Sequence, residues 1–377
     1  MTNNSSKAAS KADQSSSKRD ILVTGFPSFV ARKLLEAIIA REPDAFVRLL
    51  VRPDYIDAAD RALTAMEAPR ERIALLSGDV VAIDLGLSGR EYLEVIANVT
   101  DIYNVASIWF LGVERNQAYE VNVTGARNII DSAYEMQKLR RLNHFSTAFV
   151  AGDRTGVIME DELAEEQGFR NVYEETKYLA ELAMREAMAH LPISIYRPSI
   201  IVGDSSDGEI DKMAGPYYLM NAIVNMPSMV PILMPGKGDK PLNLVPIDFV
   251  CNAMYTISRN PQTAGKTFHL CDPNPLSARK VFELVAQRAG KRPPVGAFPY
   301  RLTKLIMKFP YLERLTRNPR QFMDDFNQLT IYNSMNTMEA LDGHYCPPFP
   351  TYVDRLVDFI KVQEIEIDLP LGAEIMG

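Results

Sequence analysis

The sequence predicts an α/β chain: a doubly wound parallel sheet with a smaller, mostly C-terminal lobe. Three observations carry that expectation. Short apolar runs of strand type alternate with helical segments from Asp20 to about Gly203. A glycine turn separates the first run from the first helix, and hydroxyl- and proline-bearing segments follow the later runs. Such alternation implies right-handed crossovers and a sheet covered on both faces.

Ile21–Thr24 reads as the first strand, and Phe29–Ala40 has helical spacing. Val47–Val51 and Ile73–Ser77 are the next strands. Glu91–Asn98 reads as a helix before the strand Asp101–Val105, and a long helix around Tyr119–Gln137 precedes the strand Leu142–Phe145. Tyr173–His190 is dense in Ala, Glu, Leu, Met and Lys, all good helix formers, and the strand Ile193–Tyr196 follows Pro192. Beyond Gly203 proline and methionine become frequent and the alternation loosens. Residues 204–377 are therefore taken as a second lobe, with 243–270 as a candidate return to the first domain, 20–203.

The chain has 377 residues, enough for one large or two joined domains, and 47% hydrophobic with 24% charged residues is an ordinary globular balance. A net charge of −7 argues against a general nucleic-acid binder, which needs a basic face. Cys251, Cys271 and Cys346 are far apart and odd in number, so a reducing, cytoplasmic setting is expected. The four histidines show no ligand spacing, and no metal is expected. Residues 1–19 lack the apolar run of a secretory signal and read as a disordered tail. Met213–Gly236 carries no charge, but four prolines interrupt it, so it reads as a buried wall and not a membrane span. Arg301–Arg317 mixes apolar and basic residues in a pattern compatible with peripheral membrane contact; Pro310 breaks it, and a helix packed on the second lobe fits better. Oligomeric state is left open.

The first strand runs into Thr24-Gly25-Phe26-Pro27-Ser28-Phe29-Val30-Ala31. Strand, tight turn and helix N-terminus together form a seat for a pyrophosphate, on free amides such as those of Phe29 and Val30. A GxxGxxG loop would place glycine at 25, 28 and 31; here only Gly25 remains, with Ser28 and Ala31 at the other two places. Alanine is an accepted variant at the last position, whereas serine at the middle one is a departure. Arg52, directly after the second strand, suits the 2′-phosphate of NADP, and Asp54 keeps NAD open. Asp79 is placed to accept from the adenine amino group.

Tyr173 and Lys177 are four apart at the start of a helix, which puts phenol and ammonium on one face. A neighbouring cation is expected to lower the tyrosine pKa and make Tyr173 a usable acid or base. Thr147, after the fifth strand, is placed to hydrogen-bond a reacting carbonyl oxygen, with Ser146 as its neighbour and rival. Pro198 and Ile200, after the sixth strand, are candidates to cover a nicotinamide face. Taken singly each has an ordinary structural reading; their joint order does not.

With these pieces the chain resembles the extended short-chain dehydrogenase/reductases over about Asp20 to Leu270. The resemblance rests on the TGxxSxxA loop at Thr24, Gly78-Asp79, Asn104-Val105-Ala106-Ser107, Asn122-Val123-Thr124-Gly125, Ser146-Thr147, Tyr173 with Lys177, Arg197-Pro198 and Val245-Pro246-Ile247-Asp248. It implies a Rossmann-like fold, catalytic roles for Thr147, Tyr173 and Lys177, and cofactor contacts at Val80, Val105 and Ala106 besides the positions above. Leu85-Gly86-Leu87-Ser88, Ser146-Thr147-Ala148-Phe149-Val150 and Arg197 to Ser205 resemble the thioester and fatty-acyl reductases with a male-sterility NAD-binding domain. That branch implies reduction of an acyl thioester, on coenzyme A or a carrier protein, with NADP(H) favoured and NAD(H) open, the second lobe binding substrate. Two other readings stay open: a dehydrogenase or epimerase acting on a sugar nucleotide, sterol or other secondary alcohol, and a cofactor-binding scaffold without turnover.

Overall fold

A computed structural model describes residues 18–109, 113–225, 227, 233–298 and 328–362. Seven strands form one wholly parallel sheet: β1 (Asp20–Thr24), β2 (Phe46–Val51), β3 (Ile73–Ser77), β4 (Asp101–Asn104), β5 (Arg141–Phe145), β6 (Ile193–Pro198) and β7 (Lys266–Leu270). Their spatial order is β7-β6-β5-β4-β1-β2-β3. The order reverses between β1 and β4, and a crevice opens at the carboxyl ends of strands at such a switch point.

Side-chain alternation explains why the sheet needs two coats. Ile21 and Val23 of β1, and Val47, Leu49 and Val51 of β2, enter one core; Leu22 and Leu50 enter the other. The first core is closed by α1 (Phe29–Arg41) and by α8 (Ile247–Arg259), which pack on each other. The second is closed by α3 (Gly89–Asn98), α5 (Gly125–Glu135) and α6 (Val172–Ala187). A third core, with Val202, Tyr217, Met220, Leu244, Phe282 and Leu356, joins α7 (Tyr217–Asn225), α9 (Ala278–Arg288) and α11 (Val353–Val362).

The predicted strands and helices are present, most within two residues of their predicted ends, with four differences. A helix that pattern reading passed over, α2 (Ile56–Ala65), lies between β2 and β3; it buries only Ala59 and Leu63, too thin an apolar stripe to announce itself. The long helix around Tyr119–Gln137 is instead α4 (Arg115–Tyr119), a π-helical turn (Glu120–Thr124) and α5. Helix α6 stops at Ala187, three residues short of His190. Strand β6 runs on to Pro198, so this proline lies in the strand and not beyond it.

Arg19, counted with the tail from sequence, already belongs to the fold: it pairs with Asp101 at 2.5 Å. The described part of Met213–Gly236 buries Tyr217, Met220, Ile223, Val224 and Met234. The rest of that stretch, the tail before Lys18 and Arg301–Arg317 lie outside the described residues. All three cysteines are buried and free. Among the described residues no helix is long and apolar enough to cross a membrane, and no group of His, Cys, Asp and Glu could hold a metal. A short helix, α10 (Met335–Ala340), is held to β7 by Glu160, which accepts from the amides of His269 and Asn336 at 2.8 and 2.6 Å.

Candidate active site

The turn after β1 is built for close approach. Gly25 has φ +79°, and a Cβ there would lie 2.7 Å from the Ala106 amide nitrogen. Thr24 fastens the same two loops: its hydroxyl donates to Asn104 at 2.9 Å and accepts from the amides of Val105 and Ala106 at 3.1 and 3.0 Å. Ser28, the departure from glycine, is the N-cap of α1; its Oγ accepts from the Ala31 amide at 3.4 Å. Ala31 is fully buried, so a larger residue would lift α1 from the sheet. The amides of Phe29 and Val30 belong to a first turn and lack intrahelical partners, as in any helix.

Beside this turn lies an open cleft, lined among others by Gly25, Leu50, Arg52, Asp79, Val80 and Ala106. Of the predicted cofactor residues Gly25, Arg52, Asp79, Val80 and Ala106 therefore meet in one groove, whereas Ser28, Phe29 and Val30 are not part of its lining. Tyr55 and Ile108 also line it and were not singled out from the sequence. Arg52 grips Asp54 through two hydrogen bonds of 3.2 and 2.6 Å, stands 3.8 Å from Asp79, and lies over the Tyr55 ring at 5.2 Å. Asp79 itself accepts from the Val81 amide at 3.1 Å. Gly78 beneath it has no room for a side chain, a Cβ falling 2.4 Å from the Leu85 carbonyl oxygen. The residues present thus suit an extended nucleotide: a close-approach glycine, a helix N-terminus and a cation at the far end.

Across the sheet edge, β5 runs into Ser146 and Thr147, and α6 brings Tyr173 against them. The Thr147 hydroxyl stands beside that of Tyr173 and favours its ionised form. The Ser146 hydroxyl points elsewhere, donating to Glu181 at 2.6 Å, which separates the two rivals. Helix α6 begins on the Asn171 side chain, which accepts from the Glu174 amide at 2.9 Å, and so fixes Tyr173 in the first turn. Lys177 is buried and donates to the Phe145 carbonyl at 2.5 Å.

The electrostatics correct one expectation. Tyr173 is not lowered by Lys177: burial pushes it up to about 12, against the effect of the Thr147 hydroxyl. Lys177 is itself drawn down to about 8 by burial, with Glu181 acting the other way, and its ammonium is turned to the Phe145 carbonyl. His144, on β5, is driven to about 3 by burial and by Lys177. Its Nδ1 is 3.2 Å from Asn104 Nδ2, and its Nε2 is buried without a partner.

Asn122, quoted from sequence only as part of a motif, occupies the π-helical turn. Its side chain accepts from the Ile108 amide at 2.8 Å and donates to the Ile108 carbonyl and the Thr176 hydroxyl at 3.0 and 2.9 Å. It ties the loop after β4 to α6, and π-turns of this kind recur at functional sites. Pro198 and Ile200 flank Ser199, whose hydroxyl donates to Asn243 at 2.8 Å. Residues Ile200–Val202 pair with Leu244–Pro246, so this predicted cofactor wall is stiffened from the second half of the chain.

Residues 23–254 match the family described as male sterility protein, an NAD-binding domain. Fatty acyl-CoA reductase wat of Drosophila melanogaster is 26% identical over 64% of this chain and 55% of its own length. Fatty acyl-CoA reductase 1 of Arabidopsis thaliana is 23% identical over 74% of this chain and 72% of its own. The terminal R domain of the myxalamid PKS-NRPS pathway superimposes with a TM-score of 0.78 at 25% identity, covering 92% of this chain and 91% of that one. The chain thus spans little more than half the length of the Drosophila relative. With more than half of its residues matched and the same sheet, it belongs to the male sterility family of NAD-binding domains.

Proposed function

We propose that this chain is an NADP(H)-dependent reductase that converts an acyl thioester, borne on coenzyme A or a carrier protein, to the aldehyde or alcohol. The observation that carries the reading is the Thr147–Tyr173 hydroxyl pair with Lys177 one turn further along α6, at the carboxyl edge of the sheet that also bears the nucleotide cleft. The names of the relatives support the thioester substrate.

Gly25, Ser28, Phe29 and Val30 take the pyrophosphate, Arg52 the 2′-phosphate and Asp79 the adenine. Val80, Val105, Ala106, Pro198 and Ile200 pack on the rest of the nucleotide. When bound, the reduced nicotinamide supplies a hydride to the carbonyl carbon. Thr147 orients the carbonyl oxygen, and Tyr173 gives it a proton as charge develops there. The thiohemiacetal so formed gives the aldehyde as its C–S bond breaks and the hydroxyl proton leaves with the thiol. A second hydride and proton are needed to reach the alcohol. Tyr173 is protonated at neutral pH and so holds the proton this step consumes, while burial makes it a weaker acid than a free phenol. Lys177 leaves the Phe145 carbonyl for the nicotinamide ribose and steadies the phenol with its charge. Of the described residues, those after 203 form the substrate side, with 243–270 reinforcing the first domain.

The test is titration with NADPH and NADH, followed by assays on acyl thioesters, ketones and secondary alcohols. Trp109, the single tryptophan, follows Ile108 of the cleft and reports binding by energy transfer to the reduced nicotinamide. Turnover of thioesters with tighter binding of NADPH is expected; turnover of secondary alcohols alone would overturn the substrate assignment.

A further inference from the structure

Tyr173, Lys177 and Glu181 succeed one another at intervals of four along α6, stacking phenol, ammonium and carboxylate on one stripe. Glu181 is fully buried and has a full set of partners. Ser146 Oγ donates at 2.6 Å, Arg185 Nε at 3.0 Å, and Arg197 reaches both carboxylate oxygens at 2.6 to 3.1 Å. Arg197 is fixed in turn by the Glu162 carbonyl at 2.7 Å and by His269 Nε2 at 3.2 Å. Burial opposes the charge on Glu181, but the two arginines and Ser146 hold it ionised, down to about 2.

Packing alone does not call for this arrangement, since an apolar pair of similar volume holds a helix to a strand as well as a buried ion pair does. An apolar pair would supply neither a negative charge one turn from Lys177 nor an acceptor for the hydroxyl beside Thr147. We propose that Glu181 is a positioning residue of this site: its carboxylate keeps Lys177 in the ammonium form and anchors the Ser146–Thr147 turn against α6. This rests on the reductase reading.

The groups around Lys177 leave Glu181 as its source of negative charge. Tyr173 on the same helix is a neutral phenol, His144 on β5 a neutral ring, and the Phe145 carbonyl a dipole. Arg197 on β6 and Arg185 on α6 direct their charge to Glu181.

The experiment is NADPH binding to the full chain, read by Trp109 energy transfer, from neutral to alkaline pH. Wild type should lose affinity as pH rises through about 8, where Lys177 gives up its proton. In Glu181→Gln that loss should come about one pH unit lower, and Glu181→Asp should restore it. The paired variant Glu181→Gln/Arg197→Met removes both buried charges and guards against misfolding of the single variant; losing a cation with the anion, its midpoint should fall less far than that of the Gln variant but still below wild type. Ser146→Ala keeps the charge and should keep the wild-type midpoint. A folded Glu181→Gln or paired variant with an unmoved midpoint would overturn the inference. Absence of NADPH binding to wild type at every pH would overturn the reductase reading itself, and this inference with it.

Discussion

Two arginine–carboxylate pairs lie at opposite ends of the proposed site, and they are built differently. Arg52 and Asp54, at the nucleotide end, are 30% and 53% exposed. Arg197 and Glu181, behind the proposed catalytic hydroxyls, are 1% and 0% exposed. An exposed pair is worth little to the fold and can be opened by a ligand that offers a better anion. A buried pair cannot be opened without leaving a charge stranded in the core. The first is suited to selecting a nucleotide, the second to holding a geometry.

That comparison can be broken by substitution. The largest effect is expected at the catalytic end itself: Tyr173→Phe should lower turnover by about 10²–10⁴-fold, the usual worth of a positioned general acid, with NADPH binding little changed. Arg197→Ala should cost about 3–5 kcal/mol of stability in chemical denaturation, because Glu181 is left buried and charged. Arg52→Ala should leave stability within about 0.5 kcal/mol while weakening NADPH roughly tenfold or more relative to NADH, through loss of a charge-assisted contact. Asp54→Asn should be smaller still: a few-fold gain in NADPH affinity, since the guanidinium no longer has to leave a carboxylate. Equal losses of NADPH and NADH in Arg52→Ala would mean that this arginine does not read the 2′-phosphate.

The pH dependence sharpens the same contrast. Lys177 titrates at about 8, well below Tyr173 at about 12, so the alkaline fall in activity should belong to the lysine. For stability the sign is opposite. A lysine lowered from 10.5 to about 8 binds fewer protons folded than unfolded between those values. Its unfavourable contribution is therefore complete below about 8 and relieved as pH climbs toward 10.5. Activity and stability should diverge over that window, which paired rate and denaturation measurements would show.

Much of the sheet was legible because strands such as β1 and β2 bury side chains on both faces and read as apolar runs between turns. Helix α2 was not, since two buried residues make too weak a stripe, nor was the π-helical turn, which Asn122 imposes through contacts with Ile108 and Thr176. The spacing of Tyr173 and Lys177 already placed both on one helix face. It could not show that Lys177 would turn to a backbone carbonyl, which is why the expected lowering of Tyr173 fails. Likewise Glu181 and Arg197 are separated by a helix end and a strand, and only the fold brings them together. Ser28 looked like a defect in a glycine loop; its geometry shows a helix cap at the same position.

The measurement closest to the central claim is oxidation of NADPH in the presence of a long-chain acyl-CoA, with wild type and Tyr173→Phe compared side by side. The account predicts thioester-dependent oxidation by wild type, with aldehyde or alcohol formed and thiol released, and its near loss in the variant while NADPH still binds. Undiminished oxidation by Tyr173→Phe, or none by a wild type that binds NADPH, would contradict it.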